Sequence, residues 1–214
     1  MLKTLKQGLD VPISGQPEQD ISDAPAAKTV AILGDDYVGM RPKLLVAEGD
    51  KVKLGTPVFE DKKTPGVIFT APAAGTVKAI NRGDKRRFLS LVIDVDGDAA
   101  ESFDSHKNLG SLDRKKVEAQ LLKSGLWTAL RTRPFSKVPA PGSEPNSLFV
   151  TAMDSNPLAA DAELIVGENK EEFVNGLTVL SKLTSGKTFV CTGCLLYTSP
   201  SPRDQRGARM PSSA

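Results

Sequence analysis

The chain has 214 residues, of which 39% are hydrophobic and 25% are charged, values that are ordinary for a globular protein. A net charge of +2 and an aromatic content of 5% exclude the strongly basic, aromatic-rich surface that is typical of nucleic-acid binding. One histidine and two cysteines are too few for a histidine-based zinc site or a disulfide framework. No apolar run has the length of a membrane-spanning helix, and the N-terminus lacks the apolar core of a signal peptide.

The N-terminal half predicts an extended arm followed by short strands. Residues 1–27 are polar and rich in proline, glycine and aspartate, and we expect them to form the arm. The apolar run Thr29–Leu33 predicts the first strand. Gly49 and Gly55 mark chain reversals, because glycine tolerates a positive φ. Alternating apolar residues predict the buried sides of the strands that follow: Val52, Leu54, Val58, Phe59, Val77, Ile80, Leu91 and Ile93.

Two stretches, Glu48–Phe59 and Phe69–Val77, combine these turn glycines with small residues. Their pattern resembles the two halves of a biotinyl- or lipoyl-type barrel-sandwich hybrid, which we predict over residues 28–103. In carrier domains of this type the tip between the halves presents a modified lysine, and Lys63 lies near that position. The residues around Lys63 differ from carrier motifs, and Pro65 and Gly66 change the turn. We therefore interpret the module as structural.

Beyond residue 104 the hydrophobic period changes from two to nearly four, which indicates helices. Ser111–Gly125 predicts a helix that Ser111 or Asp113 caps and Gly125 ends, with a buried stripe formed by Val117, Leu121 and Leu122.

A second strand–helix–strand unit follows that helix. A strand over Ser147–Met153, an amphipathic helix over Glu168–Thr184 and a strand over Lys187–Cys191 predict a parallel layer. The expected fold class is α+β / α/β, with the N-terminal barrel-sandwich followed by an incomplete Rossmann-like α/β domain over residues 104–193.

The C-terminal segment has a different character. Residues 194–214 are dense in serine, proline and arginine, and Cys194–Asp204 looks like a translated sequencing adapter. We expect an artefactual, disordered tail there. Cys191 and Cys194 have the C-x-x-C spacing of a redox or metal pair, but the second cysteine lies in this tail. We therefore interpret Cys191 as a lone buried residue that ends a strand.

A sharper resemblance rests on Ser124–Pro139 and Val150–Asp161, with Phe59–Lys63 and Ala79–Gly83. In these segments the chain resembles the alpha subunit of the bacterial sodium-translocating NADH:quinone oxidoreductase, over roughly the first 193 residues. The resemblance implies a peripheral subunit on the cytoplasmic face of the bacterial inner membrane. With the other subunits, including membrane subunits, it would support electron transfer from NADH to ubiquinone coupled to sodium export. Alternatives are the iron–sulfur subunit of an Rnf-type electron transport complex and a biotinyl/lipoyl-like carrier or scaffold module.

That family is related to the flavin-carrying subunit of complex I, whose glycine-rich loop corresponds to Leu126–Pro134 of this chain. Trp127, Thr128 and Leu130 are bulky there, and Pro134 has no N–H to offer a phosphate. The chain also lacks a cysteine cluster for an iron–sulfur centre. We expect no cofactor, metal or catalytic residue in this chain. The resemblance assigns NAD, ubiquinone and sodium to the complex, and flavins and the iron–sulfur centre to other subunits.

The candidate contact residues lie just after this segment: Arg131, Arg133, Phe135 and Lys137. The arginines flank a Pro-Phe step and suit a quinone headgroup, an acidic partner or a nucleotide, or alternatively the carbonyl end of a helix. Asp154 and Asp161 follow a strand, where α/β sheets bind ligands, although turn and N-cap roles are open as well. His106 is expected to be a solvated loop residue.

Overall fold

The computed structural model of the chain describes residues 14–15, 17–18, 20–154, 156 and 158–192. Within these residues, seven strands come first: β1 (Thr29–Leu33), β2 (Pro42–Leu44), β3 (Lys51–Val52), β4 (Pro57–Asp61), β5 (Ile68–Thr70), β6 (Gly75–Arg82) and β7 (Phe88–Val95). There follow α1 (Arg114–Ser124), a 3₁₀ turn over Leu126–Ala129, β8 (Ser147–Ala152), α2 (Ala162–Glu168), α3 (Lys170–Leu180), a 3₁₀ turn over Ser181–Leu183 and β9 (Lys187–Thr192).

The first seven strands form two antiparallel sheets around one core. One sheet has the order β1-β7-β6-β3, and the other has the order β2-β4-β5. Phe59 and Phe69 from one sheet stack with ring centroids 4.5 Å apart, and Phe88 from the other sheet lies 5.2 Å from Phe59. Buried side chains from both sheets complete this core: Val52, Val58, Val77, Leu91 and Ile93. The predicted barrel-sandwich is confirmed.

The turn glycines behave as the sequence predicts, with one error among the apolar residues. Gly49 and Gly55 have φ of 92° and 89°. Leu54, which we predicted on the apolar side of a strand, is 47% exposed. It lies in the turn after β3, where its N–H donates to the carbonyl of Ala99 at 2.9 Å. The alternation therefore ends at Val52, because the chain leaves the sheet there. Ile80 is half-buried rather than fully buried.

Helix α1 has the predicted boundaries and packs on the barrel-sandwich. Asp113 is the N-cap, and its carboxylate accepts a hydrogen bond from the Lys116 N–H at 2.8 Å. Gly125 ends the helix with φ of 79°. The Thr70 hydroxyl at the end of β5 donates to the Ser124 carbonyl at 3.2 Å, and Val117 is buried in the same core as the strands. The helix and the sheets thus share packed surface.

Strands β8 and β9 are parallel, as the strand–helix–strand order predicts. Phe149 lies opposite Phe189, and their rings stack with centroids 5.0 Å apart. The predicted helix over Glu168–Thr184 is shorter and consists of α3 and the 3₁₀ turn after it. The preceding helix α2 was not predicted, since its seven residues are too short for a clear helical period.

Glu144 connects α1 to the segment before β9. Its carboxylate accepts the Ser185 N–H at 3.0 Å and lies 2.8 Å from Arg114 Nη1. The hydrogen bonds from Ser185, followed by the positive charge of Arg114, lower the pKa of Glu144. Because the folded pKa lies below the unfolded one, the stabilisation is present above the unfolded pKa and is lost as the pH falls through the folded pKa.

We expect Glu144→Gln to lower the urea midpoint of unfolding slightly at neutral pH, since the ion pair is exposed. The difference from the wild-type chain should shrink as the pH falls below about 4.3, the usual pKa of a glutamate. Urea titrations from neutral to acidic pH measure this. Asp98→Asn is the control, because within the described residues that carboxylate makes no hydrogen bond or ion pair. A difference that grows on acidification would contradict the assignment.

Candidate partner-contact loop

Residues 131–137 form a closed, protruding loop after the 3₁₀ turn. The Thr132 N–H and hydroxyl donate to the Lys137 carbonyl at 2.8 Å and 3.0 Å. The Ser136 N–H donates to the Thr132 carbonyl at 2.8 Å. These hydrogen bonds join the two arms of the loop, so its tip is held in one conformation by its own backbone.

The tip presents an apolar ring between cations. Phe135 is 71% exposed, and Lys137 Nζ lies 5.9 Å from the centroid of its ring. Arg133 is exposed and, within the described residues, makes no hydrogen bond or ion pair. A large aromatic side chain held in water on a closed loop costs hydrophobic free energy that a partner could recover. The loop therefore has the properties of an interface.

Arg131 has a different role from the other candidates. Its guanidinium donates to the carbonyls of Thr128 and Leu130, the latter at 3.0 Å, and lies 5.0 Å from the ring centroid of Tyr37. These contacts match the alternative of carbonyl capping at the end of a helical turn. Arg131 fixes the base of the loop on the barrel-sandwich, and its donors are engaged within the chain.

The other end of the loop is anchored by Trp127. Its side chain is 3% exposed and belongs to the main core. The indole Nε1 donates to the Pro139 carbonyl at 2.9 Å, which ties the residues after the loop to the 3₁₀ turn before it. The position that is glycine-rich in flavin-carrying relatives is thus filled here by a buried indole. The four sequence candidates lie on one loop, but the structure separates them into one positioning residue, Arg131, and three exposed residues.

A cleft of about 200 Å³ lies beside the Arg131–Tyr37 contact. It runs between β1, the end of β5 and the 3₁₀ turn, and its polar lining residues are Asp36, Tyr37, Thr70 and Thr128. Pockets for drug-sized ligands typically have about 300–1,000 Å³. This cleft is too small to enclose a flavin or a nucleotide.

Lys63 lies exposed at the tip between β4 and β5. Its backbone N–H donates to the Asp61 carboxylate at 3.0 Å, and the Arg41 N–H donates to the same oxygen at 2.9 Å. Asp61 is 8% exposed, so this tip is organised by a buried carboxylate. The importance of Asp61 was not predicted, because its partner Arg41 lies in another strand-end segment.

The other singled-out residues have local structural contacts. Asp161 caps α2 by accepting the Glu163 N–H at 2.8 Å, and Asp154 accepts the Asn156 N–H at 2.9 Å. These are the N-cap and turn geometries. His106 is exposed, as expected. Cys191 is a free thiol in β9 and is half-buried rather than buried; Cys194 lies outside the described residues, as does the rest of the predicted tail.

Tyr37 is the functional residue that sequence reasoning missed. It supports Arg131 on one face and meets Phe69 edge-on with ring centroids 4.6 Å apart. The available signal was an aromatic residue in an otherwise polar, glycine-containing stretch of a chain that is poor in aromatics. Nothing local indicated its partner.

Two family models match the chain. Residues 3–96 match the NqrA N-terminal barrel-sandwich hybrid domain, and residues 112–199 match the NqrA second alpha/beta domain. Relatives named as the NqrA subunit of the Na(+)-translocating NADH-quinone reductase are 58% identical in Saccharophagus degradans and 56% identical in Yersinia pseudotuberculosis, over 189 residues. The alignments cover 87% of this chain and 42% of each relative. The relative from Tolumonas auensis is 58% identical over 193 residues, which are 89% of this chain and 43% of that protein.

The chain belongs to the NqrA family of Na(+)-translocating NADH-quinone reductase subunits. The predicted resemblance and the fold class are therefore confirmed, and the Rnf-type and carrier alternatives are not favoured. The chain spans about two fifths of the length of these NqrA relatives, which is 42% for the first of them. Among the described helices, none is long and apolar enough to cross a bilayer. Within the same residues, no group of three or more histidine, cysteine or carboxylate side chains could hold a metal ion.

Proposed function

We propose that this chain acts as part of a peripheral subunit of a Na(+)-translocating NADH:ubiquinone oxidoreductase, on the cytoplasmic face of the bacterial inner membrane. There it supports electron transfer from NADH to ubiquinone that is coupled to sodium export. The observation that carries the proposal is the 58% identity to a relative named as an NqrA subunit, which extends over 87% of the chain.

The proposal is tested with a chimeric NqrA. The matching region of the NqrA from Saccharophagus degradans is replaced by residues 1–192 of this chain, and the complex is purified and assayed for sodium-dependent quinone reduction by NADH. We expect assembly and activity close to those of the native complex. A chimera that is expressed and folded but neither assembles nor supports turnover would contradict the proposal.

Within this function, the tip of the 131–137 loop contacts another subunit of the complex. The exposed ring of Phe135 matches an apolar pocket, and the cations of Arg133 and Lys137 match an acidic rim around it. A convex tip favours a protein surface over a quinone headgroup, because a small molecule is usually bound in a concave site.

We expect Phe135→Ala in the chimera to weaken assembly of the complex by about 2 kcal/mol, the loss typical of an interface hot spot, without changing the urea midpoint. Sedimentation or co-purification of the complex measures assembly. Val174→Ala is the control, because Val174 is also an exposed apolar residue, 52% exposed, but lies on α3. Equal assembly of both variants would remove the loop from the interface.

The proposed role includes no flavin or other cofactor in this chain. Supporting this, the buried indole of Trp127 fills the position at which a glycine-rich loop would approach a phosphate. The purified chain should show no visible flavin absorbance after incubation with flavin mononucleotide and desalting. Stoichiometric retained flavin would overturn this part of the proposal and favour an electron-carrying role.

A further inference from the structure

The hairpin between β6 and β7 ends in a turn, Asp84–Arg87, whose two central residues are unusual. Lys85 and Arg86 have φ of 53° and 60°. The Arg87 N–H donates to the Asp84 carbonyl at 3.1 Å, and the Gly83 N–H donates to the Arg87 carbonyl at 2.8 Å. Hairpin turns with positive φ at both central positions favour Asn-Gly, since most L-residues are strained there. Folding alone does not explain a lysine and an arginine at these positions.

The same turn concentrates positive charge at an exposed tip. Arg82, Lys85, Arg86 and Arg87 are all exposed. Arg87 pairs with Asp35, and the Arg82 guanidinium donates to the Arg86 carbonyl at 3.4 Å. Within the described residues, the Lys85 and Arg86 side chains form no ion pair or hydrogen bond. Two free cations therefore project from the end of the hairpin.

An exposed leucine lies beside these cations. Leu89 is 40% exposed, and its methyl carbons lie 3.3 and 3.4 Å from the position that a Cβ atom on Gly83 would occupy. The tip is thus a convex surface with cations at its end and an aliphatic side chain at its base. Basic residues next to exposed apolar side chains are typical of surfaces that bind the headgroup region of an anionic membrane.

We propose that the β6–β7 tip docks on anionic phospholipid headgroups, with Lys85 and Arg86 contacting phosphates and Leu89 reaching the interface. This inference rests on the proposed function, because a peripheral subunit of a membrane complex already lies close to a bilayer. A basic residue near an anionic leaflet contributes about fivefold to the partition coefficient. Two cations are enough to orient a protein that its partners hold, and too few to recruit it tightly.

The test compares the binding of the full 214-residue chain to vesicles of phosphatidylglycerol and phosphatidylcholine with binding to pure phosphatidylcholine vesicles. The variant Lys85→Asn/Arg86→Gly removes both cations and installs the residues that the turn favours. We expect it to bind anionic vesicles about 25-fold more weakly, which is the product of two fivefold factors. It should also unfold at a higher urea concentration, because the strain at the two positive-φ residues is relieved.

The charge-matched control is Lys107→Gln/Lys115→Gln, which removes two exposed lysines far from the tip in sequence. It should bind anionic vesicles within about twofold of the wild-type chain, as expected for surface substitutions outside the contact. An equal loss in both variants, equal binding to both kinds of vesicle, or an unchanged urea midpoint for Lys85→Asn/Arg86→Gly would overturn the proposal. If vesicle binding is absent but the variant impairs assembly of the chimera, the tip binds an acidic protein surface and the lipid proposal is wrong. Vesicle binding needs no enzymatic activity, so its failure is distinguishable from failure of the proposed function.

Discussion

Replacing Gly75 by alanine is expected to destabilise the barrel-sandwich by about 3 kcal/mol or more. Gly75 begins β6 with φ of 157°, and an added Cβ would lie 1.9 Å from the carbonyl oxygen of Asp94 and 3.1 Å from the Asp96 nitrogen. These are backbone atoms of the neighbouring strand and the turn after it, so they cannot rotate away as a side chain could. Since Gly75 pairs with β7 on one side and β3 on the other, a shift would disturb both strand pairs.

Urea unfolding followed by circular dichroism measures this loss. Gly97→Ala is the matched control, because Gly97 has φ of 78° but no heavy atom within 4 Å of an added Cβ. It should lose only about 1–2 kcal/mol, the cost of a left-handed L-residue. If both variants lost the same free energy of unfolding, the contact with the Asp94 backbone would not be the cause.

The second large effect is expected at Trp127, where alanine should cost about 3–5 kcal/mol, the range for removing a buried tryptophan. The substitution would leave a cavity in the core that α1 and the sheets share, because the indole is 3% exposed. It would also remove the hydrogen bond to the Pro139 carbonyl at 2.9 Å and so release one end of the 131–137 loop. The same variant should therefore be cleaved faster by proteases within the loop and should assemble poorly in the chimera.

Two further substitutions separate these contributions. Trp127→Phe keeps much of the buried ring but has no N–H, and it should lose about 1–3 kcal/mol from the unsatisfied carbonyl and the smaller side chain. Leu126→Ala is the control in the adjacent position, where the side chain is 62% exposed, and it should change the stability by less than about 0.5 kcal/mol. Similar urea midpoints for Trp127→Ala and Leu126→Ala would show that the indole does not hold the two parts together.

Much of the fold was predictable because its signals are local. Gly49 and Gly55 were assigned to turns because the required φ depends on the residue itself, and both have positive φ. Asp113 and Gly125 bound α1 as cap residues do, since capping satisfies backbone groups within a few residues. The parallel pairing of β8 and β9 followed from the helices between them, since a helical crossover returns the chain in the same direction.

The candidate site was predicted as a segment but not as a surface. Sequence alone placed Arg131, Arg133, Phe135 and Lys137 in one stretch and left open whether the arginines contact a partner or cap carbonyls. The structure assigns Arg131 to the carbonyls and to Tyr37, and leaves the other three exposed. Exposure and long-range contact depend on which distant elements pack around a residue, and a single sequence does not encode them in any local pattern.

The sequence by itself determined the family, the order of the strands and helices, and the turns that glycine requires, because each depends on residues that are close together in the chain. Only the tertiary structure decided that Leu54 is exposed, that Trp127 joins the α1 segment to the barrel-sandwich core, and that Lys85 and Arg86 occupy a strained hairpin tip. Those properties arise from the packing of the two sheets and α1 around one core, where the contact partners lie far apart in sequence and the free energy depends on all of them together.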